Sequence, residues 1–527
     1  MTSGRLWRAM GMIASANAVA LSLQFLTTIL AAREFGASAQ MDAYTLAITF
    51  PEALQYLLML ASLSVIFTPL FIDARTQHGE PEAWSMALSL LVLVVLFVLI
   101  LIPVLAMLMP WIMLVLAPGL APATRALAIE LSDLILPGLL YYATAGILLG
   151  ICYAYQDFTT AALNTLLLAL LNLFAFFVFV RWLGWGVHGL IVGRLGTLAA
   201  MELLLLWRVW RHKRDVAAPL QLRNPRVWRL LTYLPPYMFG ALSGQLEFII
   251  TRSLVSTLGA GSIAAWGYGQ RIVEIPMAVL GATVGATYLP AFATSVAQND
   301  RVAASEQWNR AAERVAFVLM PAAMLLIALG APLIALVFQR GAFDAVATQN
   351  TALVLAGLAL VLPLRGAGGL IVRGMPAFKT RWLPLLLSAL STGGTLVFAL
   401  ALIGALGIFG VALAASLGDS LFVVVGVIVF WRWLQTRTWR VQVLDFAKLV
   451  FAAILGGAVS FGVAGLAWSS IFATEFVARI LQVSVAAILG LMVFIAVCLI
   501  LRVPMSRAVL ALVARRAHNV RAAQTES

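Results

Sequence analysis

Long apolar runs alternate with short polar segments from one end of this chain to the other. Runs of about 20 apolar residues are long enough to cross a bilayer as helices, and they recur over the full 527 residues. A membrane-spanning barrel would instead alternate apolar and polar residues at every second position, which these runs do not. The pattern therefore predicts an all-α polytopic membrane protein.

Windows of about 20 residues predict about fourteen transmembrane helices, arranged as six, six and two. The first six lie near residues 10–32, 41–73, 84–109, 126–155, 158–179 and 187–209. The second six lie near residues 230–258, 264–296, 315–338, 351–372, 382–403 and 409–433, and the last two near 446–468 and 480–501. Because each set has an even number of spans, the two halves enter the membrane in the same orientation, as two pseudo-symmetric six-helix lobes.

The lobes are expected to meet at a polar linker, the most charged part of the chain apart from its ends. The predicted organisation is a first lobe over residues 1–210, a cytoplasmic amphipathic linker over 211–229, a second lobe over 230–433, a C-terminal helix pair over 446–501 and a cytoplasmic tail over 502–527. The linker is expected to lie on the membrane surface as an amphipathic helix.

Composition and charge exclude several classes of protein. With 63% hydrophobic and 10% charged residues, the chain cannot form a soluble domain of this size. Most basic residues fall in loops on one predicted side, which places both termini in the cytoplasm. The net charge is +13, but the basic residues are scattered over short loops, which argues against nucleic-acid binding. The four histidines are not grouped for metal binding or catalysis and no phosphate-binding loop is present, so a transporter is favoured over an enzyme.

One segment occurs twice in the sequence. Residues 35–71 and 258–292 each open with an aromatic residue or leucine before Gly-Ala, carry a lone proline (Pro51 and Pro276) and close on Pro-x-Phe. The repetition indicates an ancient duplication with a site between the two copies, in a central cavity.

Ionisable residues inside apolar spans are candidate substrate-binding residues, because a charge in lipid is costly. Arg271 and Glu274 lie one turn apart in the second copy. The arginine is expected to meet an anion that the glutamate positions; the alternative is a structural ion pair that hides both charges. Arg365 lies at mid-span and needs an anion, a carboxylate or water, with Asp419 as one partner. The remaining candidates are Gln245, Arg252, Gln55, Glu52 and Asp42.

These remaining candidates form two groups, one in each half. Glu52 and Gln55 share a helix face next to Pro51, near Asp42 in the first copy. Gln245 and Arg252 lie about two turns apart on one face of the seventh span. Both groups are expected to line the cavity.

Two further polar pairs lie in the first lobe. Arg194 and Glu202 are two turns apart in the sixth span, and a buried structural role is expected for them. Glu130 and Asp133 lie inside the fourth span and are a candidate proton or cation site.

Four stretches of this sequence resemble one known family. They are REFGASAQMDAY from Arg33, FPEALQ from Phe50, WGYGQRIVEIPMAVLGATVGATYLPAF from Trp266 and FQRGAFDA from Phe338. Together with the arrangement of six, six and two spans, they resemble the MviN/MurJ family, a branch of the multidrug/oligosaccharidyl-lipid/polysaccharide exporter superfamily. The resemblance extends over the whole chain.

The resemblance implies a flippase of the bacterial inner membrane. Family members move a polyprenyl-pyrophosphate-linked saccharide, typically lipid II, from the cytoplasmic to the periplasmic leaflet by alternating access. A basic cavity binds the pyrophosphate, and a groove at the last two spans holds the lipid tail. No cofactor is implied; energy comes from an ion gradient or the membrane potential. A glycan polymerase or glycosyltransferase stays open as a partner.

The sequence departs from the family pattern in the first lobe. Lipid II flippases of the family carry further arginines there, at positions that correspond to Leu21, Thr27 and Gln55, and an Arg-Asp pair corresponds to Thr27-Thr28. Of the cavity arginines, Arg271 is clearly retained. An exopolysaccharide repeat unit on the same carrier is therefore as well supported as lipid II.

Two other readings stay open. The first is a cation-coupled exporter of small molecules, in which Glu52, Glu130 and Asp133 would be coupling groups. The second is a non-transporting scaffold of a glycan-assembly complex, which the small number of cavity charges permits.

Overall fold

The computed structural model describes residues 3–57, 63–213, 216–378, 382–435, 439–466, 468 and 474–506. For residues 3–10, 13, 56–57, 63–66, 229–231, 233–244, 279–287, 289, 376–377 and 439 it describes the backbone alone. In this part of the chain all regular secondary structure is helical, which confirms the predicted all-α class. The chain forms two compact units, Met1–Ala264 with Arg340–Phe343, and Ala265–Gln339 with Asp344–Ser527.

The first unit follows the predicted spans with two interruptions. A 3-10 turn at Leu136–Gly138, which contains Pro137, divides one predicted span into two helices. The seventh helix continues into a π-helical turn, Phe176–Trp182. The helices are α1 Ser3–Phe35, α2 Ala39–Leu57, α3 Leu63–His78, α4 Glu80–Leu116, α5 Pro122–Ile135, α6 Leu139–Ala154, α7 Phe158–Ala175, α8 Gly186–Lys213 and α9 Pro225–Ser256.

The second unit contains the later helices. They are α10 Ser262–Ala297, α11 Arg301–Ala328, α12 Gly330–Phe338, α13 Ala345–Ala359, α14 Leu362–Gly374, α15 Leu383–Leu434, α16 Trp439–Ala464 and α17 Glu475–Ile500, with a 3-10 turn at Met375–Phe378. The first turn of α10 belongs to the first unit. Helices α13 and α14 are separated by a bend of 50°.

Helix α15 contains two predicted spans, 382–403 and 409–433. Gly407 has φ 55° and ψ −132°, which interrupts the helical conformation between them. The two halves then pack against each other: a β-carbon on Gly418 would lie 2.6 Å from the Ser391 carbonyl oxygen. The glycine therefore allows the backbones of a helical hairpin to approach closely.

The apolar surface is that of a membrane protein. Within the described residues, nine helices are long and apolar enough to cross a membrane, or ten when the bent pair α13–α14 is counted as one span. Large apolar side chains on α4 point outward, among them Met107 at 82% and Trp111 at 69% exposure. A multi-pass membrane protein is thus confirmed, while the count of fourteen spans stays a prediction.

The last two helices pack against α11 within the second unit. Met320 and Met324 of α11 form a buried cluster with Phe494 and Cys498 of α17 and with apolar residues of α16. Gly490 lets α16 and α17 approach closely, because a β-carbon there would lie 2.8 Å from the Gly456 carbonyl oxygen. The predicted C-terminal pair is therefore joined to α11 by a continuous apolar core.

The linker differs from its prediction. Residues 216–224 form no helix, so the expectation of an amphipathic helix is wrong over this stretch; residues 214–215 lie outside the described part. The Gln221 N–H donates to Ser89 Oγ at 3.0 Å, and Arg226 pairs with Glu82 at 3.3 Å. These contacts hold the linker and the start of α9 against α4. The contacts of the chain accordingly place α9 in the first unit, whereas the sequence placed it in the second lobe.

Candidate functional site

Arg271 and Glu274 lie on the outward face of α10. Ile272 and Val273 on the opposite face are 5% and 1% exposed, whereas the Arg271 and Glu274 side chains are 55% and 51% exposed. Arg271 Nη1 lies 3.6 Å from Glu274 Oε2, and Gln270 Nε2 donates to Glu274 Oε1 at 3.0 Å. The alternative of an ion pair that hides both charges does not describe these side chains, because more than half of each is accessible.

The same helix packs closely on one side and carries a proline one turn after Ile272. Gly269 lies against α13, where a β-carbon would approach Val354 Cγ1 to 2.8 Å. Pro276 lies inside α10 and has no N–H to donate to the Ile272 carbonyl one turn earlier. The packed face fixes α10, and the proline leaves a backbone carbonyl available near Arg271.

Arg365 of α14 has the partner that the sequence suggested. Its Nε donates to Asp419 Oδ2, and Asp419 Oδ1 lies 3.5 Å from the Ser391 hydroxyl. The two charged side chains are 29% and 20% exposed. The arginine is therefore neutralised within the second unit, which distinguishes it from Arg271.

The first unit contains a mixed pair that sequence reasoning did not join. Arg194 Nη2 of α8 lies 2.5 Å from Glu52 Oε1 of α2 and 3.0 Å from the Tyr142 hydroxyl of α6. Glu52 is 42% exposed and Arg194 23%. Gln55, one turn along α2, is half-buried. The expected polar face of α2 thus exists, but its carboxylate is paired with an arginine that was assigned a structural role apart from it.

Asp42 is completely buried and its two carboxylate oxygens are occupied. They accept the backbone N–H groups of Gly261, just before α10, at 2.6 Å and of Ala264, in the first turn of α10, at 2.7 Å. An acidic residue at this position satisfies N–H groups that have no partner within the helix. The geometry gives Asp42 the role of a helix cap rather than that of a group facing a substrate.

Arg252 of α9 contacts the same turn at the start of α10. It is 5% exposed, its Nη1 donates to the Ile263 carbonyl at 3.3 Å, and its guanidinium lies 5.0 Å from the centre of the Phe248 ring. Gln245, two turns earlier on α9, is half-buried. Arg252 therefore does not replace the missing arginines of the first lobe as an accessible cation.

Two of the stretches that carry the family resemblance, those from Arg33 and from Phe338, meet at this end of the first unit, together with the turn that precedes α10. A β-carbon on Gly261 would lie 2.1 Å from the Ala37 carbonyl oxygen, one on Gly36 2.3 Å from that of Ala342, and one on Gly341 2.3 Å from that of Arg33. The Ala342 N–H also donates to the Arg33 carbonyl at 2.9 Å. Positive φ at all three glycines adds a second reason for glycine there. These motifs therefore encode backbone contact.

The two acidic residues of α5, Glu130 and Asp133, are both exposed. Glu130 Oε1 lies 3.0 Å from His188 Nε2, with the two side chains 61% and 41% exposed. Asp133 is exposed on the same helix. No group of three or more metal-ligating side chains occurs among the described residues, and a cation site at Glu130 and Asp133 stays a prediction.

Two solved structures share this fold. A lipid II flippase MurJ in an inward closed conformation superposes with a TM-score of 0.75 at 20% identity, covering 93% of this chain and 98% of that one. An inward-facing MATE-family multidrug transporter of the MOP superfamily has a TM-score of 0.68 at 17% identity, covering 80% and 94%. The chain therefore shares the fold of these two structures.

The sequence comparisons define the family. A family model described as lipid II flippase MurJ matches residues 31–486. A probable lipid II flippase MurJ of Rhizobium tropici is 27% identical over 470 residues, covering 82% of this chain and 83% of that protein. One of Rhizobium meliloti (strain 1021) is 28% identical over 411 residues, covering 74% of each. The chain belongs to the lipid II flippase MurJ family, which confirms the predicted resemblance and a transporter rather than an enzyme.

Proposed function

We propose that this protein is a flippase that moves a polyprenyl-pyrophosphate-linked saccharide from the cytoplasmic to the periplasmic leaflet of a bacterial inner membrane by alternating access. The single observation that carries the proposal is Arg271, a half-exposed arginine inside a long apolar helix of a MurJ-family chain. A charge in that position is costly in lipid and indicates a water-filled or ligand-binding surface.

The chemistry of Arg271 suits a pyrophosphate. A guanidinium can give two parallel N–H donors to phosphate oxygens, and such charge-assisted bonds are among the strongest that side chains make. Its contact with Glu274 is long, at 3.6 Å, and Gln270 holds the carboxylate from the other side. An arriving pyrophosphate can therefore pair with Arg271 while Glu274 keeps Gln270 as a partner.

Lipid II is the first candidate substrate, because the relatives are named for it. An exopolysaccharide repeat unit on the same carrier is the second, and the first helix favours it. Leu21 is 53% exposed where a cavity arginine would stand. The Thr27 and Thr28 hydroxyls donate to carbonyls of their own helix at 2.9 and 3.0 Å, and neither offers a charge.

The proposal also includes the orientation of the chain, the energy source and a partner surface at the linker. Both termini lie in the cytoplasm by the distribution of basic residues, and energy comes from an ion gradient or the membrane potential with no cofactor. Leu220 and Leu222 of the linker are 53% and 42% exposed. They give a glycan polymerase or glycosyltransferase an apolar contact next to the linker's basic residues.

Complementation of a cell depleted of its own lipid II flippase tests the function. Wild type should restore growth and Arg271→Ala should not, with both proteins folded in the membrane. Arg310→Ala is the matched control, because Arg310 is 69% exposed and also pairs with a glutamate on its own helix. Normal growth with Arg271→Ala would rule out Arg271 as a required substrate-binding residue. Failure of the folded wild type would favour the exopolysaccharide unit, tested next by loss of a secreted polysaccharide on deletion.

The chemistry of the site is tested by Arg271→Lys in the same cells. Lysine keeps the charge but cannot give the planar pair of donors, so growth should be only partly restored. Full activity of the lysine variant would reduce the site to a requirement for positive charge.

A further inference from the structure

Glu202 of α8 is half-buried and lies beside Thr144 of α6 in the first unit. Thr144 is 2% exposed, and its Oγ1 lies 2.8 Å from each carboxyl oxygen of Glu202. The same hydroxyl lies 2.7 Å from the Leu140 carbonyl, one turn earlier on α6. Among the described residues, no ion pair includes Glu202. A single hydroxyl therefore contacts both a carboxyl group and a backbone carbonyl.

Counting protons decides which groups carry hydrogen here. A threonine hydroxyl has one hydrogen to donate and two lone pairs to accept with. If Glu202 were ionised, that one hydrogen would serve three oxygen acceptors, and at least one pair of oxygens would face each other at 2.7 or 2.8 Å without hydrogen. If Glu202 is protonated, its O–H donates to Thr144 Oγ1 and Thr144 donates to Leu140. The protonated form satisfies one more contact than the ionised form.

The position of Glu202 in its helix points the same way. From Glu202 to the end of α8 at Lys213 is about 16 Å of helix, so the carboxyl lies well inside the predicted span. An ionised carboxylate there, without a cation or several donors, is costly. The arginine of α8 that faces the interior, Arg194, is already paired with Glu52 and Tyr142.

Most of the other titratable groups around α8 have partners of their own, and Asp133 is exposed on α5. Elements α2, α5, α6, α7 and the π-helical turn pack against α8. In α6, the Tyr141 hydroxyl pairs with Asn164 of α7. The charged or titratable groups on these elements and at the two ends of α8 include the pairs Glu130–His188, Arg181–Glu34 and Asp157–Arg208, the carboxylates Asp42 and Asp133, and His212 near Asp157. Thr144 is thus the polar neighbour that determines the protonation state of Glu202.

We propose that Glu202 is a proton-binding site of the first unit, which holds one proton in the arrangement with Thr144 and Leu140 and releases it to water when that arrangement opens. The site takes a proton from water and needs no other co-reactant. The proton site itself stands apart from the proposed function; only its use in coupling transport to a proton gradient rests on that function.

Infrared difference spectroscopy of the full-length protein in lipid bilayers tests the site directly. At neutral pH, wild type minus Glu202→Gln should show the C=O stretch of one carboxylic acid, shifted in heavy water. Glutamine keeps the shape and can donate to Thr144, so the variant should stay folded. Glu130→Gln is the matched control, because it changes a carboxyl that is 61% exposed and paired with His188, and it should leave the band unchanged. Absence of a band that depends on Glu202 overturns the proposal.

A second variant keeps the test decisive if Glu202→Gln does not fold. Thr144→Val removes the acceptor for the Glu202 proton while keeping side-chain shape, so the acid band should move to the frequency of a weakly bonded acid. An unchanged spectrum of Thr144→Val overturns the proposed pairing. Failure of wild type to complement, with the band present, would count against lipid II as the substrate and leave the proton site intact.

Discussion

Two arginine–carboxylate pairs in the second unit differ in how much charge they leave available. Arg271 and Glu274 lie on one helix, 3.6 Å apart and more than half exposed. Arg365 and Asp419 lie on two packed helices, are less than one third exposed, and share their site with Ser391. The first pair can exchange its partner for an incoming anion, whereas the second joins α14 to α15. An arginine inside a span is therefore a candidate substrate group only where its partner is weakly held and its surface is open.

The largest difference between the two pairs is expected in stability. Arg365→Ala leaves Asp419 buried without its cation, and removing one member of a buried pair costs about 3–5 kcal/mol. Partial exposure of this pair places the expected loss at the lower end, about 3 kcal/mol. Arg271→Ala, on an exposed face, should change stability by about 0.5 kcal/mol or less. Thermal unfolding of the purified proteins in detergent, followed by fluorescence-detected size exclusion, measures both.

The double variant Arg365→Leu/Asp419→Leu sharpens this comparison. Replacing both charges with apolar side chains of similar volume removes the uncompensated charge, so most of the lost stability should return. Unfolding temperatures for Arg365→Ala and Arg271→Ala that agree within error would show that the two pairs do not differ as the structure indicates.

Asp42 adds a third kind of carboxylate to this comparison, one whose oxygens accept backbone N–H groups. Asp42→Ala removes the acceptor for two buried N–H groups, of Gly261 and Ala264. Loss of a helix cap costs about 0.5–2 kcal/mol, and leaving buried donors unsatisfied costs about 1–3 kcal/mol, so a loss of about 2 kcal/mol is expected. Asp42→Asn keeps an acceptor oxygen and should lose less. Equal losses for the two variants would mean that the N–H contacts are not what Asp42 provides.

The fold was largely predictable from sequence, whereas the roles of single charges were not. Span-length apolar runs reflect local chemistry, and α1, α4 and α7 begin or end within a few residues of those predicted where a polar or proline residue marks the boundary. The partner of Asp42 lies 219 residues away, and that of Glu52 lies 142 residues away. Without those neighbours, a buried cap and an open binding residue have the same sequence signature.

The roles of the glycines were also only partly predictable from the sequence. The Gly-Ala opening of the first repeated segment indicates duplication, but it also encodes contact, since Gly36 approaches the Ala342 carbonyl. The Gly407 break in α15 was anticipated as a boundary between two spans. A glycine that ends a span can be found from periodicity; one that admits a distant backbone cannot.

Arg194 and Glu52 in the first unit lie between the two pairs in exposure. Glu52 is 42% exposed, so solvent screens the interaction and a coupling energy of about 1 kcal/mol is expected. A double-mutant cycle of Arg194→Ala and Glu52→Gln, read out by unfolding temperature, isolates that term. Tyr142→Phe is the control for the hydroxyl that Arg194 also contacts. Additive losses, with no coupling, would show that Glu52 is available to a substrate in the way Glu274 is.

The smallest effect is expected at Asp157, outside the membrane-spanning segments in the loop between α6 and α7. Its side chain is 9% exposed. It accepts from the Thr160 N–H and hydroxyl at 3.1 and 2.7 Å and from Arg208 Nε at 2.9 Å. Burial acts to raise the pKa of this carboxyl, but the contacts with Thr160 and Arg208 outweigh it and hold the pKa below its ordinary value of 3.8.

A lowered pKa in the folded state fixes the direction of the pH effect. The stabilisation is fully present above the ordinary pKa and is lost as the pH falls through the folded value, so acid should weaken wild type more than Asp157→Asn. Asparagine keeps the helix cap on α7 but has no charge for Arg208. Unfolding temperatures from about pH 6 to pH 3 should converge, with a difference at neutral pH of about 1 kcal/mol or less. Parallel curves for the two proteins would show that Asp157 is not held in its ionised form by Arg208.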